Sequence, residues 1–262
     1  MKTLRIVGAG MIGIDQISEE AKEIIRLSNK VLWIGFIQNI ENMLLKTNSV
    51  ALNEDITYLY IDGALDEDNY ERIIQKLLHD LSCFKNICLV VPGYPRLGLS
   101  FVQKLQIISK DTHQFELKTY SGISSFDSMI NELELDPLEE GTCIVDANRL
   151  ILYDYMMDPA LNYFVYHVCA IGNRKTDYSN PVLNNKVCFL KEKLLKHYSA
   201  THNIFLVSAT VSTNSNIIVL QNSLEKLEFL LSEVSYSHSL FIPCVLPKKE
   251  NINWQFLKLL RK

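Results

Sequence analysis

Three small-residue turns hold the residue types best suited to chemistry. Gly8-Ala9-Gly10-Met11-Ile12-Gly13 follows the short apolar run Leu4–Val7, Val90-Val91-Pro92-Gly93-Tyr94-Pro95 closes the apolar run that begins at Asn86, and Ser121-Gly122-Ile123-Ser124-Ser125 follows Phe115–Thr119. Each reads as the carboxyl end of a β-strand opening into a tight turn and then a helix. In open α/β sheets ligands bind just beyond such strand ends, because small residues let the backbone approach them and helix N-terminal amides face them. Ser124 and Ser125 fit two roles, plain helix N-caps or hydroxyls presented towards a ligand.

The first turn also fits G-x-G-x-x-G, the dinucleotide fingerprint, which needs an acidic residue at the end of the second strand to hold a ribose. That strand ends Leu32-Trp33-Ile34-Gly35-Phe36-Ile37, without Asp or Glu, and the helix starts late, after Ile14-Asp15. A glycine turn that shapes the first loop is therefore the favoured reading over a nicotinamide site. His167, within the apolar run Tyr163–Ile171, reads on its own as a core histidine, and His238, in Tyr236-Ser237-His238-Ser239, as a turn or surface residue. Asp15, Asp62, Asp66, Asp127 and Asp136 show no catalytic pairing in sequence. The six cysteines show neither CxxC nor Cys/His ligand spacing and lie mostly in apolar runs, so they read as reduced core residues and no metal is implied.

The elements that must position these turns alternate. Strands are expected at Leu4–Val7, Lys30–Gly35, Thr57–Ile61, Asn86–Val91 and Phe115–Thr119. Helices are expected after Ser18, over Ile37–Leu45, Asn69–Leu81 and Ser100–Ile108. This βαβα order implies a mostly parallel sheet. The second half carries helices over Ser125–Leu133, Val182–His197 and Leu224–Leu231. Its strands are expected at Cys143–Asp146, Tyr163–Ile171, Ile204–Thr210, Ile217–Val219 and Ser239–Val245, a second α/β set with some antiparallel pairing. The domain expectation is an N-terminal α/β domain at 1–115, a C-terminal α/β domain at 116–247, and a basic amphipathic tail at 248–262. With 262 residues, 48% apolar and 21% charged, the chain has the composition of a folded protein of one large or two compact domains. A net charge of −4 gives no footprint for nucleic acid or an acidic membrane, and no apolar run is long enough to span one. With no secretory h-region after Met1, a soluble cytoplasmic protein is expected.

Taken together, Val7-Gly8-Ala9-Gly10, Gly93-Tyr94-Pro95 and Gly122-Ile123-Ser124-Ser125, in that order, resemble the tetrapyrrole-methylase superfamily, which uses S-adenosylmethionine (SAM). Tyr94 replaces that superfamily's usual Asp, and Ser121 the usual Pro. Within the superfamily the chain resembles the borosin peptide-backbone N-methyltransferases, on Gly122–Pro137, Tyr166–Gly172, His197–Val211 and Val234–Pro243. The resemblance implies two α/β domains with SAM in the cleft between them, and a homodimer. Its SAM contacts, transferred position by position, are Pro92, Tyr94, Leu97, Ser124, His167, Ala209, His238 and Ser239, which moves His167 and His238 from core or turn residues to cofactor residues.

Methylating a backbone amide requires that its proton leave and that the developing oxyanion be stabilised. Borosin enzymes are similar to one another in a tyrosine, an arginine and a second tyrosine that serve this step. The first aligns with Tyr60, but the other two positions hold Asn69 and Ile73. Asn69 can donate a hydrogen bond without arginine's charge. Tyr70 and Arg72 are near in sequence, but the helical rotation of about 100° per residue is expected to aim them elsewhere. The fused borosin enzymes carry their substrate as a C-terminal extension, whereas the tail from Pro247 is basic and amphipathic. The expected activity is thus SAM-dependent N-methylation of a separate precursor peptide. A tetrapyrrole or other small-molecule substrate and a catalytically silent SAM-binding partner subunit are the alternatives.

Overall fold

The structure, a computed structural model, describes residues 1–35, 37–47, 51–175, 177, 179–209, 219–246 and 252–260. The chain divides into two compact units. The first comprises Met1–Glu134, Asn173–Leu183 and Ser208–Ile217; the second comprises Leu135–Gly172, Asn184–Val207 and Ile218–Lys262.

The first unit is built on strands β1 (Lys2–Gly8), β2 (Lys30–Trp33), β3 (Leu52–Asp55), β4 (Asn86–Val91) and β5 (Phe115–Tyr120), in the order β3-β2-β4-β1-β5. Every pair is parallel. The alternation of strand side chains splits the core in two. Leu4, Ile6, Ile87, Leu89 and Val91 pack with Ile73 and Leu77 of α3 (Asp66–Cys83) and Phe101 and Leu105 of α4 (Ser100–Thr112). Val7, Val31, Cys88 and Val90 pack with Ile24 and Ile25 of α1 (Glu19–Arg26) and Met43 and Leu44 of α2 (Ile40–Thr47). Burial on both faces is why β4 reads as a continuous apolar run. Ser18 caps α1 as its sequence suggests, accepting the Ala21 amide at 3.1 Å. At the start of β2, Lys30 and Lys76 bracket the carboxylates of Glu54 and Asp80. Burial pushes the Glu54 carboxyl up, but the lysine hydrogen bonds outweigh it and leave it below its ordinary value.

The expected boundary at 115 falls at the first residue of β5, which pairs with β1 along its length. The sheet therefore draws this strand and α5 (Ser125–Glu132) into the first unit. The expected strand over Thr57–Ile61 is instead β3, ending at Asp55, followed by a 3₁₀ turn over Thr57–Leu59. Asp55 ends the strand by accepting the Thr57 amide at 2.8 Å, the Asx turn for which aspartate is suited.

In the second unit, β6 (Thr142–Asp146), β7 (Asn162–Tyr166), β8 (Asn203–Ser208), β9 (Val219–Ser223) and β10 (His238–Ile242) form a sheet of order β6-β7-β10-β8-β9. β6 and β7 are parallel, while β7/β10 and β8/β9 are antiparallel. Helices α6 (Ala147–Leu152), α7 (Val187–Leu195) and α8 (Leu227–Leu230) cover one face through Leu150, Leu190, Leu194 and Leu227. The expected strand at Ile217–Val219 lies partly outside the described residues; its described part begins β9. Of the cysteines expected in the core, Cys88 and Cys169 are buried, whereas Cys83 and Cys188 are exposed because they lie on the outer faces of α3 and α7; all six are free. In the tail, α9 (Trp254–Leu260) has no buried residue. Among the described residues, no helix is long and apolar enough to cross a membrane, and no group of His, Cys, Asp or Glu could hold a metal ion.

Candidate functional site

At the carboxyl edge of the first sheet, Gly8, Gly93 and Gly122 meet backbone against backbone. A Cβ on Gly8 would stand 2.3 Å from the Gly93 carbonyl oxygen and 2.8 Å from Gly122 Cα, and one on Gly122 would stand 2.3 Å from the same oxygen. No L side chain fits there. The junction is closed by the Gly93 amide donating to Gly10 O and the Ala9 amide donating to Val91 O, both at 2.8 Å. Gly93 itself needs a φ of 67°, which glycine adopts without strain.

Of the predicted cofactor residues of this unit, Pro92, Tyr94, Leu97 and Ser124 lie in or just beyond the turns that carry Gly93 and Gly122. Pro92, Tyr94 and Leu97 are half-buried in the turn after β4, where the Leu97 amide donates to Tyr94 O at 3.0 Å. Ser124 is the N-cap of α5 in a capping box. Its hydroxyl donates to Asp127 Oδ2 at 2.6 Å and accepts the Asp127 amide at 3.2 Å, so the capping role is the one its hydroxyl performs. Ala209 is buried just past β8. Beyond the ends of β2 and β3 lies a cavity of about 450 Å³ lined by Trp33, Gly35, Asp55 and Thr57 among others. Gly35 brings it near the turn after β4, since a Cβ there would touch Pro92 Cγ at 3.4 Å.

The glycine fingerprint is used internally. Gln16 Oε1 accepts the Met11 amide at 2.7 Å and the Ile12 amide at 3.1 Å, the amides that would face a pyrophosphate, and α1 starts only at Glu19. This bears out the reading of a glycine turn that shapes the loop.

The predicted catalytic pair lies at the start of α3. Tyr60 follows the 3₁₀ turn and donates its hydroxyl to Asp66 Oδ1 at 3.0 Å. Asn69 is fully buried; its Oδ1 accepts the Ile61 amide at 2.8 Å and its Nδ2 donates to Ile61 O at 3.1 Å. Arg72 corrects the sequence expectation. Three residues on is one turn along the same helix face, and the guanidinium folds back to donate to Asn69 Oδ1 and, at 3.0 Å, to Leu59 O. A positive charge thus stands beside Asn69, although the aligned position itself holds no arginine.

In the second unit, β7 ends at Tyr166, earlier than expected, and His167 takes a left-handed φ of 58°. The strand cannot continue because two asparagines take over the backbone of the following loop. Asn185 bonds Val168 O and the Ile171 amide, each at 2.8 Å, while Asn148 bonds Ala170 O at 3.0 Å and the Gly172 amide at 2.7 Å. His167 Nδ1 meets Asp146 Oδ2 at 2.6 Å, and Asp146 Oδ1 caps α6 through the Arg149 amide at 2.8 Å. Burial raises the Asp146 carboxyl, but the His167 and Arg149 hydrogen bonds prevail and hold it below the usual carboxylate range. Asp146 and Asn148 were not singled out from sequence, although Val145-Asp146-Ala147-Asn148 carries an N-cap signal.

His238 and Ser239 are buried at the start of β10. His238 Nδ1 accepts the Ser235 amide at 3.0 Å, which assigns the proton to Nε2. That buried Nε2 has no hydrogen-bond partner. Burial lowers the pKa of the ring and keeps it neutral.

No family model matches the chain. In sequence it is similar to a methyltransferase/ribosomally synthesized type II borosin cyclic peptide precursor of Phlebiopsis gigantea, 23% identical over 92% of this chain and 43% of that protein. A type I precursor of Mycena rosella is 23% identical over 77% of this chain and 49% of that protein, and one of Cerrena unicolor is 18% identical over 92% and 58%. The chain thus spans about half the length of the relatives it matches. Among solved structures, uroporphyrin-III-C-methyltransferase from Thermus thermophilus aligns with a TM-score of 0.60 at 13% identity, covering 96% of this chain and 99% of that one. The methyltransferase CobJ aligns with a TM-score of 0.60 at 10% identity, covering 94% and 95%. The fold is that of the tetrapyrrole methyltransferases.

Proposed function

We propose that this chain is a SAM-dependent methyltransferase of borosin-like type, N-methylating backbone amides of a separate precursor peptide and acting as a homodimer. The observation that carries the reading is the side-chain-free junction of Gly8, Gly93 and Gly122, in a chain whose relatives are named methyltransferases. Two features fit SAM. The junction lets backbone come within contact of a ligand at the strand ends, and the orphaned His238 Nε2–H is a buried donor that needs an acceptor. In this reading Pro92, Tyr94, Leu97, Ser124, Ala209, His167, His238 and Ser239 hold the cofactor. Ser124 acts by fixing the start of α5, since its hydroxyl is committed to Asp127.

SAM supplies a methyl group on a positively charged sulfur. The protein's part is to orient the amide, stabilise the charge on its oxygen and accept its proton. Tyr60 is the proposed group nearest the amide, with Asp66 holding its hydroxyl. Asn69 keeps the Ile61 turn in place, and Arg72 brings the positive charge that stabilises the oxygen.

The test is incubation of the purified protein with SAM and short peptides encoded beside its gene, followed by tandem mass spectrometry. Methyl groups on backbone nitrogens are expected; binding of SAM without methylation of any peptide would favour a silent partner subunit. That second reading draws on the full burial of Asn69 at the arginine position.

A further inference from the structure

We propose that the cavity beyond β2 and β3 binds a lysine or arginine side chain of the peptide whose amide is methylated; this rests on the methyl-transfer reading above. At about 450 Å³ the cavity falls within the roughly 300–1,000 Å³ typical of small-ligand sites. Trp33, Ile37 and Ile40 form its apolar wall, and all three are buried. Among the described residues that line it, the charged ones are Asp55 and Glu41, both carboxylates, with no lysine, arginine or histidine.

That negative charge is not neutralised by the fold. Glu54, one residue before Asp55, is paired with Lys30 and Lys76. Adjacent strand residues point to opposite faces, and among the described residues neither Asp55 nor Glu41 has an ion-pair partner. The Asp55 carboxylate is also oriented. Its Oδ1 accepts the Thr57 amide at 2.8 Å, which leaves Oδ2 for a ligand, and Thr57 Oγ1 accepts the Gly35 amide at 2.9 Å. The ends of β2 and β3 are thereby tied together at the cavity wall.

Two carboxylates repel an anion. A metal ion lacks ligands, since among the described residues no group of His, Cys, Asp or Glu could hold one. An organic cation fits both surfaces: its methylene stem packs on Trp33 and Ile40, while its ammonium or guanidinium head meets the carboxylates and is attracted by the indole. A free small amine has the same chemistry. The peptide is favoured because the cavity wall runs directly into Tyr60. Thr57 opens the 3₁₀ turn that ends there, the Tyr60 amide donates to Thr57 O at 2.9 Å, and the whole stretch belongs to the first unit. Five residues span at most about 18 Å, so the basic residue of the substrate is expected within about six residues of the methylated amide.

The experiment measures binding by calorimetry, without SAM, to the full-length wild-type protein and to an Asp55→Asn/Glu41→Gln double variant. Asn forms the same Asx turn as Asp, so the bond to the Thr57 amide is kept. The probes are a synthetic Val/Ile/Gly-rich peptide carrying one arginine, the same peptide with citrulline in its place, and N-acetyl-arginine amide. Citrulline is neutral and of nearly the same shape. The wild type is expected to bind the arginine peptide about tenfold more tightly than the citrulline peptide, and the double variant to discriminate less than threefold. Equal binding of the two peptides by the wild type overturns the proposal, and this comparison needs no variant to fold. Undiminished discrimination by the double variant overturns it too. N-acetyl-arginine amide that binds as tightly as the arginine peptide assigns the cavity to a free amine and overturns the peptide assignment. If the arginine peptide binds selectively and SAM then methylates no peptide, the methyl-transfer reading fails while the cation site stands.

Discussion

The backbone amide of Gly93 donates to the carbonyl of Gly10 at 2.8 Å, joining the turns after β4 and β1 across the carboxyl edge of the sheet. With Gly8 and Gly122 packed against the same peptide, three loops share one small volume that admits only main chain. Each loop therefore positions the other two.

Gly122→Ala is expected to destabilise the protein by about 3 kcal/mol and to abolish SAM binding, because its methyl would meet backbone that cannot rotate away. Gly63→Ala is the control. It needs a φ of 71° but has nothing within 4 Å, so a loss of only about 1 kcal/mol and unchanged SAM affinity are expected. Thermal unfolding and calorimetry read both, and equal effects would contradict the special status of the junction.

Gln16→Ala removes the acceptor of two loop amides and should cost about 1–3 kcal/mol. It should confer no affinity for NAD or NADP, because α1 begins too late to cradle a pyrophosphate. Dinucleotide binding by this variant in fluorescence titration would reopen the nicotinamide reading.

Tyr60→Phe and Asn69→Ala should separate chemistry from scaffolding. Tyr60→Phe loses the half-buried hydrogen bond to Asp66, so stability should change by about 1 kcal/mol while methyl transfer falls at least tenfold. Asn69→Ala strips both bonds from Ile61 and leaves Arg72 without its side-chain acceptor in a buried spot, for a loss of about 2–4 kcal/mol. If Asn69→Ala were the more active and the more stable of the two, the roles assigned to them would be reversed.

Much of the first unit was legible because its signals are local. Apolar runs for β1 and β4, the Ser18 cap and the glycine turns follow from short-range rules that tertiary contacts did not override. Two of the departures share one physical source, side chains that satisfy backbone at a distance in sequence. His167 reads as mid-strand because nothing in Tyr163–Ile171 announces that Asn148 and Asn185 bond the carbonyls of Ala170 and Val168 just after it. Asn69 read as a substrate-facing donor, whereas it binds Ile61 across the turn into α3. Local polarity suggests a boundary after residue 115, but the pairing of β5 with β1 decides it, and register between distant strands is not written in either strand alone.

His238 links proton binding to stability and to the cofactor. Its folded pKa lies below the ordinary 6.5 because burial penalises the imidazolium. The unfolded chain therefore takes up a proton here as pH falls below about 6.5 while the folded protein does not, so stability is present above that pH and declines below it, down to the folded pKa. Thermal unfolding should show a midpoint that drops between about pH 7.5 and about pH 5.5, and His238→Asn should flatten that drop. The same variant removes the Nε2–H donor, and SAM affinity should fall about five- to tenfold, equivalent to one hydrogen bond of about 1–1.5 kcal/mol. Protonating the wild-type ring would break its bond from the Ser235 amide, so SAM affinity should also weaken with acid in the wild type and much less in the variant. SAM binding that is equally strong and equally pH-dependent in both proteins would remove His238 from the cofactor site.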